Sequence, residues 1–210
     1  MKKIILVFSL VLGALTSNAQ DGAKALIKNS PFHFFDGTFN MSYEKAISNS
    51  KSLNFSGGFH LQENSWSSED DIGWIGELQL RKYLINFKKQ KSVLSGVYVA
   101  PYIKGAYFRS EGEDWWYVQE NGYYDENDLW IEEVGYYNFY SKEIKNIQGG
   151  LLMGAQLLFG NIISLEVFLG GGMQYAEVEG FNSDYYRTTS DMKEYTGVIP
   201  RIGFNIGATF

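Results

Sequence analysis

Polar and apolar residues alternate one for one along most of this chain. Asn40, Ser42 and Glu44 interleave with Phe39, Met41 and Tyr43, and Asn54, Ser56 and His60 interleave with Leu53, Phe55, Phe59 and Leu61. Trp74, Leu78 and Leu80 alternate with Glu77, Gln79 and Arg81, while Val99, Ile103 and Tyr107 oppose Tyr98, Tyr102 and Lys104. Later, Gln148, Gly150, Gly154 and Gln156 oppose Ile147, Leu151, Met153, Ala155 and Leu157. Ser164, Glu166, Gly170 and Gln174 oppose Ile163, Leu165, Val167, Leu169, Met173 and Tyr175 in the same way. A period of two with one polar and one apolar face marks β-strands lying between two different solvents. Beyond residue 20, no long segment repeats the 3.6-residue helical period, and none is apolar enough for a transmembrane helix.

A water-soluble secreted sandwich also alternates, so the decision falls on the bulky face and on the chain's end. Counting back from the carboxyl terminus, Phe210, Ala208, Ile206, Phe204, Ile202, Pro200 and Val198 share one face, with Thr209, Asn205, Gly203 and Arg201 on the other. A terminal Phe closing such a strand resembles the signal by which outer-membrane barrels are recognised for insertion. The expected fold is therefore all-β, an eight-stranded antiparallel up-and-down transmembrane β-barrel. Loop lengths set the strand count. Short connections are expected at 48–50, 88–91 and 159–161, and outside ones at 36–37, 62–71, 110–142 and 176–193. That arrangement needs a first strand at about 24–35 and puts both termini on the periplasmic side. Pro31, Pro101 and Pro200 then fall inside strands, where each removes a ladder donor.

Composition adds a compartment. Met1 to Ala19 reads as a signal peptide, with Lys2 and Lys3, an apolar run from Ile4 to Leu15, and small residues at Ser17 and Ala19, so the mature domain is expected to span 20–210. The 23 glycines, 15 tyrosines and 15 phenylalanines suit many strands joined by turns. Cysteine is absent, which removes disulfides, thiolate metal sites and a lipidated cysteine. Together these features point to the outer membrane of a Gram-negative bacterium.

Several segments carry a resemblance: Gly37-Thr38-Phe39-Asn40-Met41-Ser42-Tyr43-Glu44, Tyr98-Val99-Ala100-Pro101-Tyr102, Gly149-Gly150-Leu151-Leu152-Met153-Gly154 and Pro200-Arg201-Ile202-Gly203-Phe204. They resemble a family of outer-membrane barrels known mainly as a domain of unknown function, related in architecture to the membrane domain of OmpA-type proteins. The resemblance covers nearly the whole mature chain except the long loop. It implies an eight-stranded barrel and carries no catalytic or binding residues.

Candidate chemistry is sparse. His33 and His60 are the only histidines, and both are expected near the outer ends of their strands, with Asn40 and Ser42 between them. A histidine base needs a positioned hydroxyl and a carboxylate that orients it. The spacing does not resemble the histidine-serine pair of the lipid A deacylase barrels, so an outer-leaflet lipid-modifying enzyme is the alternative reading and a non-enzymatic barrel the leading one. The loop Glu111 to Tyr140 holds nine Asp and Glu and neither Lys nor Arg, interleaved with Trp115, Trp116, Tyr117, Tyr123, Tyr124 and Trp130. It reads as an exposed platform for a glycan or an envelope protein, or as a hairpin whose aromatics pack on one another. Asn121-Gly122 is a hairpin signal. Asp125, Glu126, Asn127 and Asp128 lack the glycine and terminal glutamate of a calcium loop, so neither a metal nor a cofactor is expected. Gly170-Gly171-Gly172 lies within a strand and is no phosphate loop. The net charge of -6 offers no basic stripe for nucleic acid. Outer-membrane lipid is the expected surrounding partner.

Strand parity sends Glu44, Glu77 and Glu166 inward with Arg81, Lys104 and Arg201, alongside Tyr98, Tyr102, Phe108 and Phe168. Lumenal ion-pair networks are expected, with Glu77 and Lys104 on adjacent strands as the direct pair. An eight-stranded lumen is narrow enough for side chains to fill, which leaves at most a conduit for small apolar molecules.

Overall fold

Alternating residues can satisfy their backbone in lipid only when no strand edge is left open, and ring closure achieves this. A computed structural model describes residues 24–64, 69–87, 92–115, 123–124, 130–131, 137–160, 162–180 and 192–210. The expected signal peptide lies outside them. In chain order the strands are β1 (Ala25–Asn29), β2 (Thr38–Ser48), β3 (Lys51–Asn64), β4 (Glu69–Asn86), β5 (Gly96–Trp115), β6 (Tyr123–Tyr124), β7 (Trp130–Ile131), β8 (Tyr137–Phe159), β9 (Ile163–Glu179) and β10 (Gly197–Thr209). Eight of them form one closed antiparallel barrel in the order β1-β10-β9-β8-β5-β4-β3-β2, and β6 pairs with β7 alone. Among the described residues no helix is long and apolar enough to cross a membrane.

The first strand is shorter than the 24–35 expected. It ends at Asn29, and a 3-10 turn follows over Pro31–Phe34 with Pro31 in its opening positions. Proline has no N–H for a ladder and its φ suits a turn start, so it ends the strand rather than sitting within it. Gly37 completes the reversal at φ 72, a left-handed conformation that favours glycine, and its carbonyl accepts from Leu61 N at 2.9 Å. Pro101 and Pro200 do lie in strands. The β4–β5 ladder skips the positions beside Pro101, running to Gln79↔Tyr102 and resuming at Lys82↔Val99. Pro200 sits on the part of β10 that β1 does not reach, since β1 pairs only with Ile206 to Thr209. One side of that strand has no ladder there to interrupt.

The outward face is an apolar belt with charged borders. On β4 it presents Ile72, Trp74, Leu78 and Leu80, all exposed, between the exposed Asp70 and Lys82. That interval matches the roughly 9 to 11 residues a tilted strand needs to cross a bilayer. On β5 and β8 the belt ends at Ile103 and Ile147, beyond which Arg109 and Lys145 are exposed. Aromatic pairs edge it: Phe59 and Trp74 meet with centroids 6.5 Å apart, and Tyr43 meets the terminal Phe210 at 6.0 Å. Phe210 N also donates to Ala25 O at 3.1 Å, tying the carboxyl terminus to β1.

Such a belt makes outward substitutions depth-dependent. Leu78→Arg is expected to destabilise the barrel by about 2–4 kcal/mol and Leu84→Arg, past Lys82, by about 0–1 kcal/mol. Equilibrium unfolding from lipid vesicles measures both.

Candidate functional site

The inward face is polar and filled, and its lowest layer, near the short turns, is a charge-neutral quartet. Lys28 of β1 reaches Glu44 of β2 at 2.6 Å and Glu166 of β9 at 2.7 Å. Arg81 of β4 reaches the same two carboxylates at 2.9 and 2.8 Å. All four side chains have no solvent exposure. The remaining lone pairs are occupied too. Tyr83 OH donates to Glu44 at 2.7 Å, Tyr98 OH donates to Glu166, Asn205 donates to Glu166 at 3.1 Å, and Arg81 Nε donates to Gln79 at 2.8 Å. Gln156 accepts from Lys28 at 3.0 Å and donates to Leu94 O at 2.7 Å, so the segment 92–95 before β5 folds beneath the layer. Burying charge is tolerable here because two carboxylates face two cations and nearly every polar atom is bonded.

A second layer lies above. Glu77 pairs with Arg201 at 2.8 Å, and the guanidinium lies over the Tyr102 ring at 4.5 Å and near Phe168 at 6.0 Å. This corrects the expected direct pair. Lys104 stands opposite Glu77 in the ladder, yet among the described residues it makes no ion pair, because Arg201 crosses the lumen from β10 to take the carboxylate. Gly154 accommodates the lower aromatics: a Cβ there would come within 2.5 Å of the Tyr98 ring. Between the layers, a cavity of ≈ 30 Å³ is lined by Lys28, Ser30, His33, Asn40, Ser42 and Asn205, among others. It has room for a water or two and nothing larger.

The third layer lies at the loop end. Thr38 Oγ1 and His60 Nδ1 are 2.8 Å apart and both residues are buried, with His60 edge-on to Phe108 at 5.4 Å. Ser110 donates to Asp71, Lys193 pairs with the same carboxylate, and the Lys193 ammonium lies 5.5 Å from the Phe108 ring. Residues 192–196 are drawn inward: Gln174 donates to Met192 O and Tyr195 O at 2.9 Å each, Asn146 donates to Lys193 O at 3.1 Å, and Lys142 pairs with Glu194 at 2.8 Å.

The structure therefore puts Glu44, Arg81 and Glu166 in one network and Glu77 with Arg201 in another. Lys28, which no sequence argument identified, joins the first. His33 and His60 are not brought together. His33 meets Asp36 at 3.1 Å on the exposed 30–37 connection, and His60 meets Thr38 inside the wall. Of the aromatic platform, Trp116 and Tyr117 lie outside the described residues, as does the Asn121-Gly122 signal. Trp115 ends β5 opposite Tyr137, while Tyr123 and Tyr124 pair with Ile131 and Trp130.

Removing one ion from the lowest layer should be costly. Arg81→Met leaves two buried carboxylates against one lysine and is expected to lose about 3–5 kcal/mol. Adding Glu44→Gln should then cost less than it does alone, with a coupling of about 0.5–3 kcal/mol in a double-mutant unfolding cycle.

No protein-family model matches the chain, and no curated protein matches it. Solved structures do. The N-terminal β-barrel domain of Pseudomonas aeruginosa OprF aligns over 90% of this chain and 99% of that one, at 13% identity and a TM-score of 0.35. Acinetobacter baumannii CarO2 aligns over 90% and 98%, at 10% identity and 0.39. A major outer membrane protein from Thermus thermophilus aligns over 90% and 99%, at 14% identity and 0.39. The assignment rests on this chain's own ring of strands, outward apolar belt with charged borders and polar, packed interior: it is an eight-stranded antiparallel β-barrel of the outer-membrane type.

Proposed function

We propose that this barrel is non-enzymatic, lies in the outer membrane with both termini periplasmic, and acts by contact at its loop end. One observation carries the reading. Strands β5 and β8 stay paired without a break from Gly96↔Gln156 to Trp115↔Tyr137. Twenty residues at about 3.3 Å each, tilted by about 40°, rise roughly 50 Å along the barrel axis, about twice the height of a lipid-facing band. The upper part of this ribbon stands clear of the membrane and carries the acidic, aromatic segment outward. Such an extension orders many residues without contributing to the membrane-embedded wall, which fits a surface built to meet a glycan or an envelope protein.

The lumen supports the same division of labour. Its lowest layer is solid with buried side chains, which argues against a conduit. The enzyme alternative needs a hydroxyl–imidazole pair that substrate can approach, whereas Thr38 and His60 are each 3% exposed.

Excising residues 116–136 and rejoining the ribbon should leave an inserted, folded barrel that no longer crosslinks to its envelope partner or retains a glycan in intact cells. Unchanged crosslinks after excision would refute the contact reading. A changed lipid A mass profile on deleting the gene would favour the enzyme.

A further inference from the structure

We propose that the lumen binds one small monovalent anion of chloride size, held by Lys104, Gln148 and Arg201 between the Glu77–Arg201 layer and the loop-end layer. The site goes beyond the contact reading and does not depend on it. Charge is the starting point. Among the described residues, each inward carboxylate already has a cation: Glu44 and Glu166 share Lys28 and Arg81, Glu77 has Arg201, Asp71 has Lys193 and Glu194 has Lys142. Lys104 is the inward cation left over, because Arg201 has taken the carboxylate that stands opposite it in the ladder. An ammonium enclosed without a counter-ion is strongly unfavourable.

The donors around it converge. Lys104 stands between Glu77 of β4 and Gln148 of β8 in one ladder row. Arg201 reaches the same place from β10: its Nη2 donates to Glu77 at 2.8 Å, and its guanidinium lies 4.5 Å over the ring of Tyr102, the inward neighbour of Lys104 along β5. Two buried N–H groups there are unspent. Gln148 is 2% exposed and its Nε2 has no partner among the described residues, nor has Nη1 of Arg201. An ammonium, an amide N–H and a guanidinium edge are all donors, so one acceptor carrying a negative charge satisfies the three together.

The lumen is not filled at this height. Gly58, Ile75 and Ala106 form the next inward row toward the loops, and all three are partly exposed, as is Lys104. The quartet beneath is sealed, so the anion exchanges from the loop end. Valence follows from the neighbours. The charged groups around the Lys104 ammonium are Arg201, Glu77 and Asp36. Glu77 is spent on Arg201, while Asp36 is 58% exposed and meets His33 at 3.1 Å. One surplus charge remains, and the Glu77 carboxylate close by disfavours a divalent ion. The acidic segment 111–140 does not cancel the site, since exposed charge is screened over about 10 Å in 0.1 M salt.

Bromide tests this in the full mature barrel. In crystals grown from sodium bromide, an anomalous peak is expected between Lys104 Nζ, Gln148 Nε2 and Arg201 Nη1. Density there without anomalous signal, or no density at all, would overturn the proposal. In lipid vesicles, replacing gluconate by bromide at constant ionic strength should raise the urea midpoint of unfolding, because only the folded chain holds the ion. Lys104→Met keeps the stem and removes the charge, and should raise the half-saturating bromide concentration about tenfold or more, as the loss of a charge-assisted hydrogen bond implies. A midpoint that ignores bromide, or one whose response survives Lys104→Met, would contradict the site. Failure of both Lys104→Met and Lys104→Gln to fold would also count against it, because Lys104 would then serve the wall and not an ion.

Discussion

Closing eight strands into a ring sends every second side chain into one narrow lumen, and whatever charge enters it must be neutralised there. The quartet Lys28, Glu44, Arg81 and Glu166 meets that constraint with four ion pairs and no exposed atom on any of the four side chains. It also joins strands that the ladder does not: of the four, only β1 and β2 are paired, while β4 and β9 lie apart from them and from each other around the ring. The benefit is greatest for β1. That strand offers only five residues and four partners on β10, yet it completes the ring, and Lys28 anchors it to carboxylates on β2 and β9. Tyr83, Tyr98, Gln156 and the Leu94 turn then pack around a centre that is already neutral.

Alternation made the barrel legible, because lipid and lumen demand opposite side chains at successive positions. The inward carboxylates and cations followed from parity for the same reason. Partner choice did not follow. A ladder register names the nearest Cα neighbour, as for Glu77 and Lys104, but an arginine can cross a lumen only a few side chains wide, and Arg201 does so over the rings of Tyr102 and Phe168. Lys28 escaped notice because its strand is too short for a pattern to declare itself and ends at a proline turn. The only available signal was the arithmetic of a lumen that must balance Glu44 and Glu166. At the loop end, the joint hold of Ser110 and Lys193 on Asp71 depends on the inward course of 192–196, which no local periodicity encodes.

The two ends of the molecule therefore do different work. Near the short turns, interior charge is sealed, redundant and structural, and it fixes register while closing the lumen. Toward the loops β5 and β8 continue past the apolar belt, the outward face turns from Ile103 and Ile147 to Arg109 and Lys145, and the interior carboxylate Asp71 is held by Ser110 and Lys193. The contact proposed for this protein would be made at that end, above a lower layer that is sealed.

The most direct test of this account is the ionic conductance of the purified, folded barrel in a planar lipid bilayer at neutral pH. A lumen sealed by a neutral quartet predicts no resolvable conductance steps above the bare membrane. Stable open steps from the native chain would contradict it.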